Sequence, residues 1–177
     1  MALTKQQRAL VAELDEMREL MFLNYEQIED YPPESRTTYL LLMRNKLVRG
    51  QVVVSYTLID EFLANRICRF FFSRKRSFPE LWKTKRFRLF NHYVVESLSL
   101  LEKLRFGKAI QEIPKAIAKD IESLNVLRNG LAHSFFPENL RSSKPVWKGE
   151  DVFTIVGFRR FHADMQRVFD HFRGDGN

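Results

Sequence analysis

An all-α fold is the expectation for this 177-residue chain: a single-domain antiparallel helical bundle of about four to six helices. Three observations lead to it. Hydrophobic residues make up 45% of the sequence and include 16 Phe, enough apolar surface for a sizeable core. Only 7 Gly and 6 Pro are present, too few for the many turns of an all-β domain. In the long stretches, apolar residues recur mainly at helical spacing.

The first 31 residues carry a heptad. Leu3, Leu10, Met17 and Asn24 fall seven apart, and Gln7, Leu14, Met21 and Ile28 fill the second seam position. This predicts an amphipathic helix over about Thr4 to Glu29, either part of the same domain or a coiled-coil dimerisation arm. Pro32-Pro33 ends it. From Arg36 or Thr37 to Phe72 there is no proline. Apolar residues such as Leu40, Leu47, Val53, Val54, Leu58 and Leu63 fall on nearly every face, the pattern of a helix at the centre of a bundle. Gly50 marks either a bend or a close helix crossing. Phe87, Phe90, Val94, Leu98, Leu101 and Leu104 predict one further helix ended by Gly107. Pro114 opens the next, which runs to about Phe135 and is stopped by Pro137. Glu138 to Lys144 reads as a polar loop, and Trp147 to Phe153 as a loose hairpin or plain extended chain. Phe158, Phe161, Met165, Phe169 and Phe172 mark the last helix. Residues 36–173 thus make the bundle and 174–177 a flexible tail.

The single cysteine, Cys68, cannot form an internal disulfide, which suits a reducing, cytoplasmic setting. Glu13, Asp15 and Glu16 argue against a signal peptide, and no apolar run approaches the roughly 18 residues of a membrane span. The net charge of +7 is local. Arg66 to Arg88 hold nine cations against the lone acid Glu80, leaving the rest of the chain at −1. Within that stretch Arg74, Lys75, Arg76, Lys83, Lys85 and Arg86 suit phosphate binding. Its interleaved rings, Phe70 to Phe72, Phe78, Trp82, Phe87 and Phe90, either stack on bases or belong to the core.

Polar chemistry converges on Leu127-Arg128-Asn129-Gly130-Leu131-Ala132-His133. Asn129 and His133, four apart, share a helix face. Arg128 falls within about 20° of the centre of the apolar stripe formed by Ile117, Ile121, Leu124, Leu131 and Phe135, and about 140° from His133. A guanidinium there needs a carboxylate or an open cleft. Asp60 or Glu61, with Ser55 as a further polar intrusion in the central helix, either supports Arg128 or serves solvent and neighbouring cations. The segment also reads as an ordinary helix C-terminus, with Gly130 loosening the end and His133 favoured by the dipole.

Arg128, the polar Asn129 and His133, late in a helix of a small basic all-helical protein, resemble the ribonuclease motif of the HEPN superfamily, in which Arg is followed by four to six residues and then His. The resemblance covers roughly Thr37 to Phe172. It implies a metal-independent endoribonuclease in which the RNA 2′-hydroxyl is the nucleophile and the active site is composite, formed by two protomers. It also implies a toxin or antiviral-defence effector held by a cognate antitoxin or regulatory protein. The same resemblance allows a non-catalytic module that binds RNA, a nucleotide or a protein. His92, His133, His162 and His171 show no ligand spacing, no phosphate-binding glycine loop is present, and no cofactor or metal is expected.

Overall fold

In the computed structural model, residues 4–21, 23–72, 77–132 and 145–174 are described. They form seven α-helices and one two-stranded hairpin, so the fold is all-α. No described helix is long and apolar enough to cross a membrane. The chain divides into two compact units, Met1–Val48 and Arg49–Asn177.

In the first unit, α1 spans Lys5–Leu20 and opens with a capping box: Gln7 N–H donates to Thr4 Oγ1 at 3.2 Å and Thr4 N–H to Gln7 Oε1 at 2.9 Å. The helix stops well before Glu29, contrary to the heptad. Leu23 N–H wraps back to the Arg18 carbonyl at 2.9 Å, and Tyr25–Asp30 form a separate 3₁₀ turn. Asn24 and Ile28 therefore do not extend the seam. Leu10, Leu14, Met17 and Leu20 stay exposed. Helix α2 then runs unbroken over Pro33–Phe71, with Pro33 at its first position, where a missing N–H costs nothing.

In the second unit, residues 49–71 of α2 are the hub. Val52, Ser55, Ile59, Leu63, Ala64, Ile67 and Cys68 are buried, whereas Val53, Val54 and Leu58 stay exposed. The helix thus buries one broad face and is not enclosed all round. Gly50 makes no close crossing, because a Cβ there would meet nothing within 4 Å. The crossing glycine is Gly107, where a Cβ would lie 3.3 Å from Leu63 Cδ2. The single helix expected over residues 87–107 is broken: α3 (Phe78–Trp82) and α4 (Lys85–Phe90) lead into a π-helical turn, Asn91–Val95, and α5 (Leu100–Ile110) restarts beyond it. The restart has a local cause. Ser99 N–H donates to Glu102 Oε2 at 2.8 Å and Glu102 N–H to Ser99 Oγ at 3.4 Å, a capping box that nucleates a new helix.

Helix α6 spans Lys115–Ala132, its first turn closed by Ala118 N–H on the Pro114 carbonyl. A hairpin follows, β1 (Val146–Trp147) on β2 (Glu150–Asp151), and its turn residues Lys148 (φ 49°) and Gly149 (φ 91°) are both left-handed, as a type I′ turn requires. Helix α7 (Ile155–Gly174) packs on α6 and on both strands. Its first turn lies so close to β2 that a Cβ on Gly157 would fall 2.1 Å from the Asp151 carbonyl oxygen. Trp147, fully buried, stands edge-on to Phe161 with centroids 5.2 Å apart, and its indole N–H donates to Asp164 at 2.8 Å.

Candidate functional site

Helix α6 buries Ile117, Ala118, Asp120, Ile121, Leu124, Leu127 and Leu131. By rotation Arg128 belongs beside this stripe, yet it is exposed. It sits one turn from the described end of the helix, and its long side chain reaches to α2, where the guanidinium lies over the Tyr56 ring with Cζ 5.2 Å from the centroid. One flank thus rests on an apolar ring while the polar edge stays outside. Arg128 Nη1 donates to Asn129 Oδ1 at 3.2 Å, so the carboxamide that rotation assigns to another face is drawn to the guanidinium. His133, Phe135, Pro137 and residues 138–144 lie outside the described residues.

Two further α2 residues complete this end. Arg49 donates through Nη1 to the Leu131 carbonyl, placing a cation on the negative end of α6. Tyr56, seven residues later and so on the same side of α2, carries Arg128. Burial, and then the charge of Asp60, push the Tyr56 phenol above its ordinary value against the opposing pull of Arg128, so it stays a proton donor at neutral pH. Neither carboxylate proposed as support pairs with Arg128. Asp60 accepts from Lys103 Nζ at 2.6 Å, and Glu61 points to the exposed side of α2. Ser55 is fully buried and accepts from Gln51 Nε2 at 3.3 Å, a packing role within α2.

No family model, curated protein or solved structure matches the chain.

The basic segment divides. Lys83, Lys85 and Arg86 are exposed, the last with its guanidinium 5.8 Å from the Phe72 centroid, while Arg74, Lys75 and Arg76 lie outside the described residues. Most of the interleaved rings are core. Phe87 is buried with Ile67, Cys68, Leu81 and Val95, and Phe72, Phe78 and Phe90 pack around them. Phe70, Phe71 and Trp82 keep exposed edges. Burial, reinforced by Glu61, pushes the Cys68 thiol up to about 11, so it stays protonated and unreactive near neutral pH. Sequence reasoning missed Arg49, Tyr56 and Lys103. Only the seven-residue spacing of Arg49 and Tyr56 on one helix hints at the first two.

Proposed function

We propose that this chain is a metal-independent endoribonuclease of the HEPN type, acting as a homodimer with a composite site. The observation that carries the reading is the coupling of Arg128 and Asn129 at the exposed end of α6, backed by Tyr56 and by a second guanidinium, Arg49, on the neighbouring carbonyl. A guanidinium held by a ring and an amide is preorganised to neutralise the charge that builds on phosphate oxygens in the transition state. His133, five residues beyond Arg128, takes the proton from the 2′-hydroxyl or returns one to the leaving 5′-oxygen. Attack of the 2′-oxygen on phosphorus expels the 5′-oxygen and leaves a 2′,3′-cyclic phosphate and a 5′-hydroxyl. No bond in this scheme requires an external nucleophile.

The dimer rests on the same helix end. Val126 is 71% exposed, and Asn129 and Gly130 beside it are exposed too, a face that a two-fold copy can cover. Labelled RNA incubated with the protein in EDTA tests the proposal. Cleavage by the wild type, lost in Arg128→Ala and in His133→Ala, is the expected result. An inactive wild type, or an undiminished His133→Ala variant, sinks it. Growth arrest on expression, relieved by His133→Ala, is the cellular counterpart.

A further inference from the structure

A cavity of about 430 Å3 opens beside α2, walled by the rings of Phe78, Trp82 and Phe87 and by the polar groups of Asp60, Glu61 and Lys103. Small-molecule sites run from about 300 to 1,000 Å3, so a single nucleoside is the right scale. The Trp82 and Phe87 rings stand edge-to-face with centroids 5.2 Å apart, and Trp82 keeps 46% of its surface open, a stacking platform already in place. The Asn91–Val95 turn adds Asn91 to the wall, its amide fixed by donation to Glu96 Oε1 at 2.7 Å. Single π-helical turns recur at functional sites.

The polar groups state which ring fits. Lys103 is only 5% exposed, yet among the described residues its one acceptor is Asp60 Oδ2, at 2.6 Å, which engages one of three N–H donors. A buried ammonium with unused donors is satisfied by an acceptor on whatever enters the cavity. Glu61, next along α2, is a carboxylate to which no described residue donates. Of the three carboxylates in the wall, Asp60 is taken by Lys103 and Glu96 by Asn91, so the cavity presents Lys103 as a donor and Glu61 as an acceptor to a flat ring. Guanine matches: O6 and N7 accept, and N1–H and N2–H donate side by side, the arrangement a carboxylate takes in bidentate fashion. Adenine keeps the N7 acceptor but donates from N6 and accepts at N1, where guanine accepts at O6 and donates from N1, and uracil has only one ring donor. Phosphate is repelled by Asp60 and Glu61 but has cations close by in the chain, because exposed Lys83, Lys85 and Arg86 lie between Trp82 and Phe87. Tyr56, which carries Arg128, precedes Asp60 by four residues, about 6 Å of helical rise.

We propose that this cavity is a guanine-selective base pocket, with the base stacked on Trp82, its O6/N7 edge on Lys103 and its N1–H and N2–H on Glu61. The inference goes beyond the ribonuclease reading and survives without it. Calorimetric titration of the full chain with GMP, AMP and UMP tests it. GMP should bind saturably and about tenfold or more tighter than the other two. Glu61→Gln, an exposed change that leaves the Asp60 and Lys103 pair intact, should weaken GMP by about tenfold or more with an unchanged thermal midpoint, and Trp82→Ala should weaken all bases. The source of the base is read from competition: an uncleavable 2′-O-methyl oligonucleotide containing one guanosine displaces GMP if the pocket serves RNA, and fails to if it serves a free nucleotide. Equal affinity for the three nucleotides, no binding of any, or wild-type affinity in Glu61→Gln overturns the pocket. GMP binding with no RNA cleavage sinks the ribonuclease reading alone.

Discussion

The first half of α6 carries Asp120 and its last turn carries Arg128, and the two charges are handled in opposite ways. Asp120, its side chain 2% exposed, is bonded by Lys148 Nζ at 2.7 Å and by Arg167, and both cations also hold Asp164, at 2.8 Å each. Two carboxylates and two cations close a ring of four contacts between α6, the hairpin turn and α7, with Trp147 donating to Asp164 from beneath. Each of the four faces two opposite charges, so the charges of the cluster are balanced within it. Arg128 has an amide and a ring face, and neither neutralises it. A charge with satisfied partners locks a fold, and a charge with neutral partners is available for chemistry.

Breaking the open end should cost activity and little else. Arg128→Ala is expected to lower RNA cleavage by about 10²–10³-fold, the loss seen when one charge-stabilising donor is removed from a transition state, with a stability change within about 1 kcal/mol. Single-turnover cleavage and urea titration of one preparation measure both. Mixing Arg128→Ala with His133→Ala protomers sharpens the result, because a composite site lets each protomer spoil its partner's. Breaking the closed end should do the reverse. Asp164→Ala strips the acceptor from the buried Trp147 N–H and one partner from each cation, a loss of about 3 kcal/mol in urea. A change below about 1 kcal/mol would show that the ring of charges is ornamental.

The closed end also sets a pH window. Burial alone would raise the Asp164 pKa, but hydrogen bonds from Lys148 and Trp147 and the charges of Lys148 and Arg167 outweigh it and hold the carboxyl below its ordinary value. Its stabilisation is therefore present above the unfolded value, near pH 4, and fades as pH falls through the folded one. Lys148 runs the other way. Burial opposes its charge, yet the bonds to Asp120 and Asp164 hold its pKa up, so its share persists below about pH 10 and is lost as pH rises further. Thermal midpoints should fall at both ends of that window, and Asp164→Asn should flatten the acid side. The smallest effect expected is at Gly130, where a Cβ meets nothing within 4 Å and the backbone is helical. Gly130→Ala should stabilise by about 0.5–1 kcal/mol in thermal melts. If it also slows cleavage, looseness in the last turn of α6 serves the site.

Periodicity located α2, α6 and α7 because each is long, lacks internal proline and carries an apolar stripe that tertiary packing reinforces. It failed where a repeat outlives its helix. Phe90, Val94, Leu98 and Leu101 keep helical spacing across the break before α5, and only Ser99 followed by Glu102 betrays the restart. The heptad through Met21 and Ile28 likewise ran past the end of α1. At the candidate site the motif residues were legible as types, but the direction of Arg128 was not. Rotation fixes where a side chain leaves the helix, and a seven-atom chain near a helix end decides for itself where its charge arrives. The partners were less legible still. Arg49 meets Leu131 across 82 residues and Lys103 meets Asp60 across 43, contacts created only by helix packing.

Gly157 draws a different kind of boundary. With the Asp151 carbonyl 2.1 Å from where a side chain would begin, no rotamer or small shift makes room. A saturation library screened for folded protein should return glycine alone at 157 and a broad alphabet at 50 and 130. Sequence drift in this chain is thus pinched at the join between hairpin and last helix. A hunt for distant kin would travel further on the spacing of Trp147, Gly149 and Gly157 than on a short Arg-to-His signature that many unrelated helices can mimic.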